Sequence, residues 1–428
     1  VNKVLIITYY WPPAGGPGVQ RWLKFARYLP DFNITPVILT VHPQKATYPL
    51  RDDSLQHEIH ADLEVHYTNT FEPFGAYQKA TGRSDVPFSG FANESAKPGP
   101  RQKLAKFIRG NFFLPDARKG WNKYAISKAQ ELLSKGGFKA IITTGPPHST
   151  HLIGRALKRQ YGIRWLADFR DPWTDIYYYK ELFPTALATA IDKKMERSVL
   201  LEADVVIPVS HDMQRILLEK SPRLTREKFS MLPNGYDDVD FENWVKSPSD
   251  IFTITYAGTL TQQYKMGMFL RVLDTLAKAL PIRLVLAGKY DEVVANQLKS
   301  LTHVEVVDQG YITHKAVIEL LGKTDALLLA LPDLPGYTGI LPGKLFEYLA
   351  TEKPILCLGT PSSDAAKIIA QAKAGETCAY DDEAALNKTL LAWVKGWQQN
   401  EKPVVNTGFI KQFSRKALTQ QLSALILQ

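Results

Sequence analysis

The stretch Val4-Leu5-Ile6-Ile7-Thr8-Tyr9-Tyr10-Trp11-Pro12-Pro13-Ala14-Gly15-Gly16-Pro17-Gly18 joins a continuous apolar run to a proline- and glycine-rich loop. The run at 4–7 is of the kind found in parallel sheets covered on both faces. After the loop, Trp22, Leu23, Phe25, Ala26 and Leu29 fall on one stripe of a helix expected at 19–29. Glycines at such a junction let a ligand approach the backbone, and free N–H groups at a helix start favour phosphate. The segment reads as the first βα unit of an α/β protein that handles a phosphorylated ligand at its first strand's carboxyl end. A tight turn whose glycines only relieve strain is the plainer account. A nicotinamide-binding unit is disfavoured. Arg21 stands where the dinucleotide fingerprint has its third glycine, and the strand at 36–40 ends without the acid that would bind ribose.

A chain of 428 residues exceeds one ordinary core, which predicts two domains. Hydrophobic content of 45% with 22% charged residues is that of a soluble globular protein. No run reaches the roughly 20 apolar residues that span a bilayer, and the first apolar run is too short for a signal peptide. Cys357 and Cys378 make no disulfide framework, so a reducing cytoplasm is the simpler inference. The net charge of +9 and pI near 9.2 suit anionic partners such as nucleotide phosphates and acidic lipid headgroups. No helix-turn-helix, zinc-finger or RNP-like pattern is present, and no nucleic-acid partner is expected.

Strands are expected at 3–8, 35–41, 140–144, 164–167, 205–209 and 229–232, with helices between them such as 124–133 and 150–161. At Asn234-Gly235-Tyr236-Asp237-Asp238 this alternation breaks into a polar turn. A fresh series follows, at 252–256, 283–286, 304–307, 326–329 and 354–357. Two doubly wound halves result, 1–240 and 241–405, followed by a final helix within 406–428 that is expected to return to the first half. The irregular part is an insertion at 70–121. It holds a Ser/Pro/Gly-rich stretch at 83–100, then Lys103, Lys106 and Arg109 interleaved with Leu104, Phe107 and Ile108, then Phe112, Phe113, Leu114, Arg118, Lys119 and Trp121. Basic residues beside aromatics suit an anionic membrane surface. Packing of an ordinary amphipathic helix onto the core is the alternative.

Chemistry concentrates in Thr338-Gly339-Ile340-Leu341-Pro342-Gly343-Lys344-Leu345-Phe346-Glu347-Tyr348-Leu349-Ala350, which follows a buried-type strand and opens a helix near Lys344. The helix start offers N–H donors to a phosphate, and Lys344 adds a full charge. Glu347, one turn on, is placed to accept hydrogen bonds from a ribose diol. A solvated first-turn glutamate that only complements the helix dipole is the competing reading.

At this point the chain resembles the retaining nucleotide-sugar glycosyltransferases of family 4 (group 1), of the two-domain GT-B fold. The resemblance rests on the loop at 9–18, Val209-Ser210 after Ala203-Asp204, Pro233-Asn234-Gly235, Tyr256-Ala257-Gly258-Thr259-Leu260 and the segment at 342–350. Gly145-Pro146-Pro147-His148-Ser149-Thr150-His151 and Ala167-Asp168-Phe169-Arg170-Asp171-Pro172-Trp173 resemble the bacterial cell-envelope polysaccharide subgroup, as does Pro342 with Lys344 and Tyr348.

The resemblance implies transfer of a sugar, of hexosyl type, from a nucleoside diphosphate sugar with retained configuration. It implies neither metal nor cofactor. The catalytic group it implies is His151, Lys344 and Glu347. Donor contacts would come from Gly15, Gly16, Gly18, Gly258, Thr259, Lys265, Tyr311, Ile312, Gly339, Ile340 and Leu341. His148, Asp168, Arg170, Asp171 and Trp173 would face the acceptor, a glycan or a lipid-linked one, at the cytoplasmic face of the inner membrane. An ion-pair network is an equal reading for Asp168, Arg170 and Asp171.

Two departures stand out. The family's first glutamate position falls on Gly339, and Thr259 stands where many members have an arginine after the glycine. Backbone N–H groups at 338–341 would then serve the sugar, and Lys265 is the second candidate for the diphosphate. A non-catalytic sugar binder and a nucleotide-sugar epimerase of the same fold are the other two readings.

Overall fold

The computed structural model describes residues 2–72, 99–242, 244–247, 249–334 and 336–428, and the Ser/Pro/Gly-rich part of the insertion up to 98 lies outside these. The chain forms two compact units, Val1–Pro233 with Leu418–Gln428, and Asn234–Ala417. Each is built on a six-stranded parallel sheet.

In the first unit the strands are β1 (Asn2–Ile7), β2 (Ile34–Val41), β3 (Glu64–Thr68), β4 (Phe138–Gly145), β5 (Arg164–Phe169) and β6 (Val205–Pro208), in spatial order β3-β2-β1-β4-β5-β6. Register runs Asn2 beside Ile34 and Val4 beside Ala140. Alternate residues of β1 serve opposite faces. Leu5 and Ile7 pack with Trp121 and Ala125, while Val4 and Ile6 pack with Trp22 and Phe25. That double burial is why the strand reads as an unbroken apolar run.

The second unit holds β7 (Phe252–Leu260), β8 (Ile282–Tyr290), β9 (Glu305–Gly310), β10 (Ala326–Ala330), β11 (Ile355–Leu358) and β12 (Gly375–Cys378), in order β12-β11-β10-β7-β8-β9. Both sheets therefore share one topology, with the first strand central and flanked by the second and the fourth. In such sheets the chain turns away in opposite directions after those central neighbours, and ligands enter at the crevice left there.

Some details differ from the sequence reading, and the last helix follows it. The segment at 229–232 joins β6 only through an isolated bridge between Val206 and Phe229. β3 and β12 were not anticipated, because edge strands with the compositions EVHYT and GETC carry little apolar pattern. The division between units falls at Pro233, ahead of the polar 236–250 stretch. The helix Arg415–Leu427 places Leu418, Leu422 and Ile426 among the core residues of the first unit, and Arg164 Nε donates to the Leu425 carbonyl at 3.0 Å. No helix among the described residues is long and apolar enough to cross a membrane.

Candidate active site

In the second unit, Lys344 and Gly258 are brought together although 86 positions separate them. Lys344 is on the first turn of the helix Gly343–Ala350, which follows β10, and Gly258 is near the end of β7. Gly258 has φ of +127°, and a side chain there would start 2.6 Å from Lys344 Nζ. The glycine thus permits both the backbone turn and the approach of the amine. Nζ lies 3.9 Å above the Tyr256 ring and donates to Tyr256 Oη at 2.7 Å. That hydroxyl donates in turn to the Thr259 carbonyl at 2.8 Å. Tyr348, one turn past Lys344, accepts from the Ala257 N–H at 3.0 Å, which ties the helix to the same strand.

Among the described residues Lys344 has no ion-pair partner, and burial pulls its pKa down from 10.5 to about 7 against the opposing pull of Glu347. A cation in this condition is poised for an incoming anion. No side chain caps the helix, since Pro342 occupies the N-cap position, so its first N–H groups face the same end.

Glu347 is partly exposed, with burial raising its pKa and His314, Arg415 and Lys344 opposing that shift. His314 Nδ1 lies 3.9 Å from Glu347 Oε1, and its Nε2 lies 3.1 Å from Asp240 Oδ2. His314 and Asp240 were missed from the sequence. His314 opens the helix that follows β9, so the carboxyl-end rule for parallel sheets could have found it. Asp240 comes from a distant segment and left no such signal.

Tyr311 is 75% exposed just past β9, and Ile312 is half-buried beside it. The Leu341 side chain is packed in the core. Lys265 caps the short turn Gln262–Tyr264 that follows β7. Its amine pairs with Asp333 and lies 5.8 Å from the Tyr380 ring, beside an open cavity of about 470 Å³.

In the first unit the proline- and glycine-rich loop ends at the helix Pro17–Tyr28. Gly15 donates its N–H to the Leu50 carbonyl, and Gly16 is the N-cap with φ of +104°. Gly18 has a different reason to be glycine. The Arg170 guanidinium occupies the space above it, with Nη1 1.4 Å from where a Cβ would stand. Arg170 Nε donates to Thr144 Oγ1 at 3.2 Å, and its Nη2 to the Pro146 carbonyl.

Asp168 is fully buried and accepts from Arg21 Nε and Nη2 at 3.2 and 2.8 Å, Trp22 Nε1 at 2.8 Å and Thr144 Oγ1 at 2.8 Å. Those four bonds occupy its lone pairs, which places it in the ion-pair network rather than at an acceptor hydroxyl. Arg21 is completed by the Pro233 and Leu232 carbonyls at 2.6 and 2.9 Å. Beside Arg170, Asp171 has its pKa raised by burial.

His151 is fully buried, stacked 4.4 Å from Phe169, with Nδ1 bonded to Thr143 Oγ1 at 2.9 Å. Burial, with Arg170 adding to it, pulls its pKa down to about 3, so the ring is neutral. Among the described residues, its Nε2 and the Nδ1 of His148 have no hydrogen-bond partner. A side chain on Gly145 would begin 2.6 and 3.0 Å from them. Trp173 is buried, stacks on His148 at 4.9 Å and donates to Asp192 Oδ1 at 2.7 Å.

Residues 85–239 match Glycosyltransferase Family 4, and residues 251–395 match Glycosyl transferases group 1. No curated protein matches the sequence. Among solved structures the chain is similar to HepE of Anabaena in complex with UDP-glucose, at 12% identity over 99% of this chain and 98% of that one, with a TM-score of 0.60. It is also similar to the lipopolysaccharide outer core galactosyltransferase WaaB, at 12% identity over 99% of each chain with a TM-score of 0.59. Sucrose-phosphate synthase from Thermosynechococcus elongatus matches at 15% identity over 99% of this chain and 98% of that one, with a TM-score of 0.57. The fold is the two-domain GT-B fold. With a family 4 region ahead of a group 1 region, the chain is a glycosyltransferase.

Proposed function

We propose that this glycosyltransferase moves a hexosyl group, with retention and without a metal ion, from a nucleoside diphosphate sugar to a glycan or lipid-linked acceptor of the bacterial cell envelope. The reading makes it a cytoplasmic enzyme at the inner membrane. The observation that supports it most is Lys344, a half-buried amine without a carboxylate partner, lodged over Gly258 at the end of the central strand β7. Charge grows on the diphosphate as the sugar–oxygen bond breaks, and a fixed cation with aligned helix N–H groups stabilises it most at that moment. Glu347 takes the ribose diol, steadied by His314. Donor-sugar recognition falls to the backbone at 338–341, because Gly339 has no carboxylate to offer. In the first unit, the neutral His151 supplies the sugar contact through its unpartnered Nε2, and His148, Arg170 and Asp171 the acceptor side.

UDP-sugars are the first donors to try, given the ligand in the HepE complex. The test follows release of nucleoside diphosphate with and without a panel of glycan and lipid-linked acceptors. Acceptor-dependent release that Lys344→Gln reduces at least a hundredfold supports the reading, and an isotope label at the anomeric carbon reports its stereochemistry. Binding without any turnover points to a sugar-binding protein. Conversion of the nucleotide sugar without acceptor points to an epimerase.

A further inference from the structure

Two neighbouring helices of the first unit carry large apolar side chains in the open. The helix Pro100–Phe112 buries Ala105, Lys106 and Gly110, yet leaves Leu104 59% and Phe112 73% exposed, with Phe107 and Ile108 between them also open. The helix Ala186–Glu202 buries Ala188, Asp192, Glu196, Val199 and Leu200, while Leu187 is 71% exposed and Ile191 43%. The sequence pattern left two readings of the helix at 103–112, an apolar stripe facing a membrane surface or one packed on the core; the structure places the stripe outward. The tertiary contacts decide this orientation. Lys106 faces Glu181 at 3.5 Å, and a side chain on Gly110 would start 2.3 Å from the Leu182 carbonyl. Asn111 then joins the two elements, donating to the Phe183 carbonyl at 3.0 Å and accepting from the Thr185 N–H at 2.7 Å.

Asp192 is buried against Trp173 and Tyr179, and Glu196 against Thr174 and Lys220, whereas the apolar side chains left in water form a patch of the kind that marks a surface something covers. Burial raises the Asp192 pKa to about 6, opposed by the hydrogen bonds it accepts from Trp173 and Tyr179. Among the described residues, the exposed charges on these helices and the turn between them include Lys103, Lys180, Lys193, Lys194 and Arg197, against Glu181. Apolar side chains ringed by cations fit an interface where hydrocarbon lies beneath negative headgroups.

We propose that this face docks on an anionic lipid bilayer. The segment is not the one the sequence suggests as a whole. Trp121 is buried and bonded to Thr68, and Arg118 is buried and bonded to the Thr47 carbonyl, so neither reaches a membrane. Beside the docking face lies a cavity of about 100 Å³ lined by Arg109, Phe113, Leu182, His148, Trp173 and Tyr179 among others. A bilayer held by the two helices delivers the head of a lipid-linked acceptor to this cavity. That last point rests on the proposed function, whereas the docking does not.

The experiment sediments the full chain with vesicles of phosphatidylcholine alone and with added phosphatidylglycerol, at low and high salt, without donor or acceptor. Binding to the anionic vesicles that falls about tenfold or more in high salt, or in Lys193→Glu/Lys194→Glu, is expected. Leu104→Gln/Leu187→Gln should lose a similar factor while its melting temperature and UDP binding stay those of the parent. Equal recovery with both vesicle types, or parental binding by both variants, overturns the proposal. A concentration-dependent dimer abolished by Leu104→Gln/Leu187→Gln also overturns it, in favour of a second copy. Vesicle binding that persists in a protein lacking transferase activity would leave the docking intact and remove only the acceptor reading.

Discussion

Replacing Lys344 with Gln should abolish a proton uptake that accompanies nucleotide binding. With a pKa of about 7 in the empty site, the amine carries a proton about half the time at pH 7 and about one tenth of the time at pH 8. A diphosphate against Nζ restores the charged form, so binding at pH 8 should take up about 0.9 of a proton per nucleotide. Because only the protonated amine binds well, apparent affinity for UDP should fall about five- to sixfold between pH 7 and 8, or about 1 kcal/mol. Calorimetric titration in buffers of different ionisation enthalpy measures the uptake directly, and the difference between parent and Lys344→Gln removes the nucleotide's own titration. An uptake at pH 8 that is the same in both proteins would refute the assignment of Lys344 to the phosphates.

The same shift has a stability consequence of definite sign. The folded pKa lies below the unfolded one, so between about pH 7 and 10 the unfolded chain binds more protons and stability rises with pH. Lys344→Met should therefore be more stable than the parent below pH 7, with the gap closing as pH climbs toward 10. Denaturant titrations at pH 6.5 and 9.5 check this. Glu347→Gln should weaken nucleotide binding by about 1–3 kcal/mol in a folded protein, and unchanged calorimetric affinity would remove that residue from the site. Gly18→Ala collides with the Arg170 guanidinium and should cost about 2 kcal/mol or more; Arg170→Ala in the same chain should recover most of the loss, and simple additivity in that double-mutant cycle argues against the contact. Asp168→Ala leaves the buried Arg21 without its counter-charge and should destabilise by about 3–5 kcal/mol, measured by urea unfolding.

Much of the second unit's site was legible because its parts are local. Lys344 and Glu347 share one turn of helix after an apolar strand, and the alternation of strand and helix places that turn at a carboxyl end. His314 and Asp240 were not legible, since one is a lone histidine and the other lies in a polar turn, and only folding puts them beside Glu347. In the first unit the residues of one motif divided. Asp168 turned inward to Arg21 and Trp22, while His148 came to line a cavity.

What the amino-acid sequence determined by itself was the class of fold and the position of its working loops, through apolar runs, helical stripes and Gly/Pro junctions. These are properties of short segments, and the short-range physics of backbone and hydrophobic period suffices to read them. What only the tertiary structure decided was which way ambiguous faces turn and which distant groups meet. The stripe of Leu104, Phe107, Ile108 and Phe112 has the period of a core-facing helix, yet Gly110 against Leu182 and Lys106 against Glu181 set it outward. Gly258 reads as a strand-end glycine until Lys344 lies above it. Burial and pairing are relations between residues far apart in the chain, so neither the lowered pKa of Lys344 nor the outward turn of that stripe exists until the fold has formed.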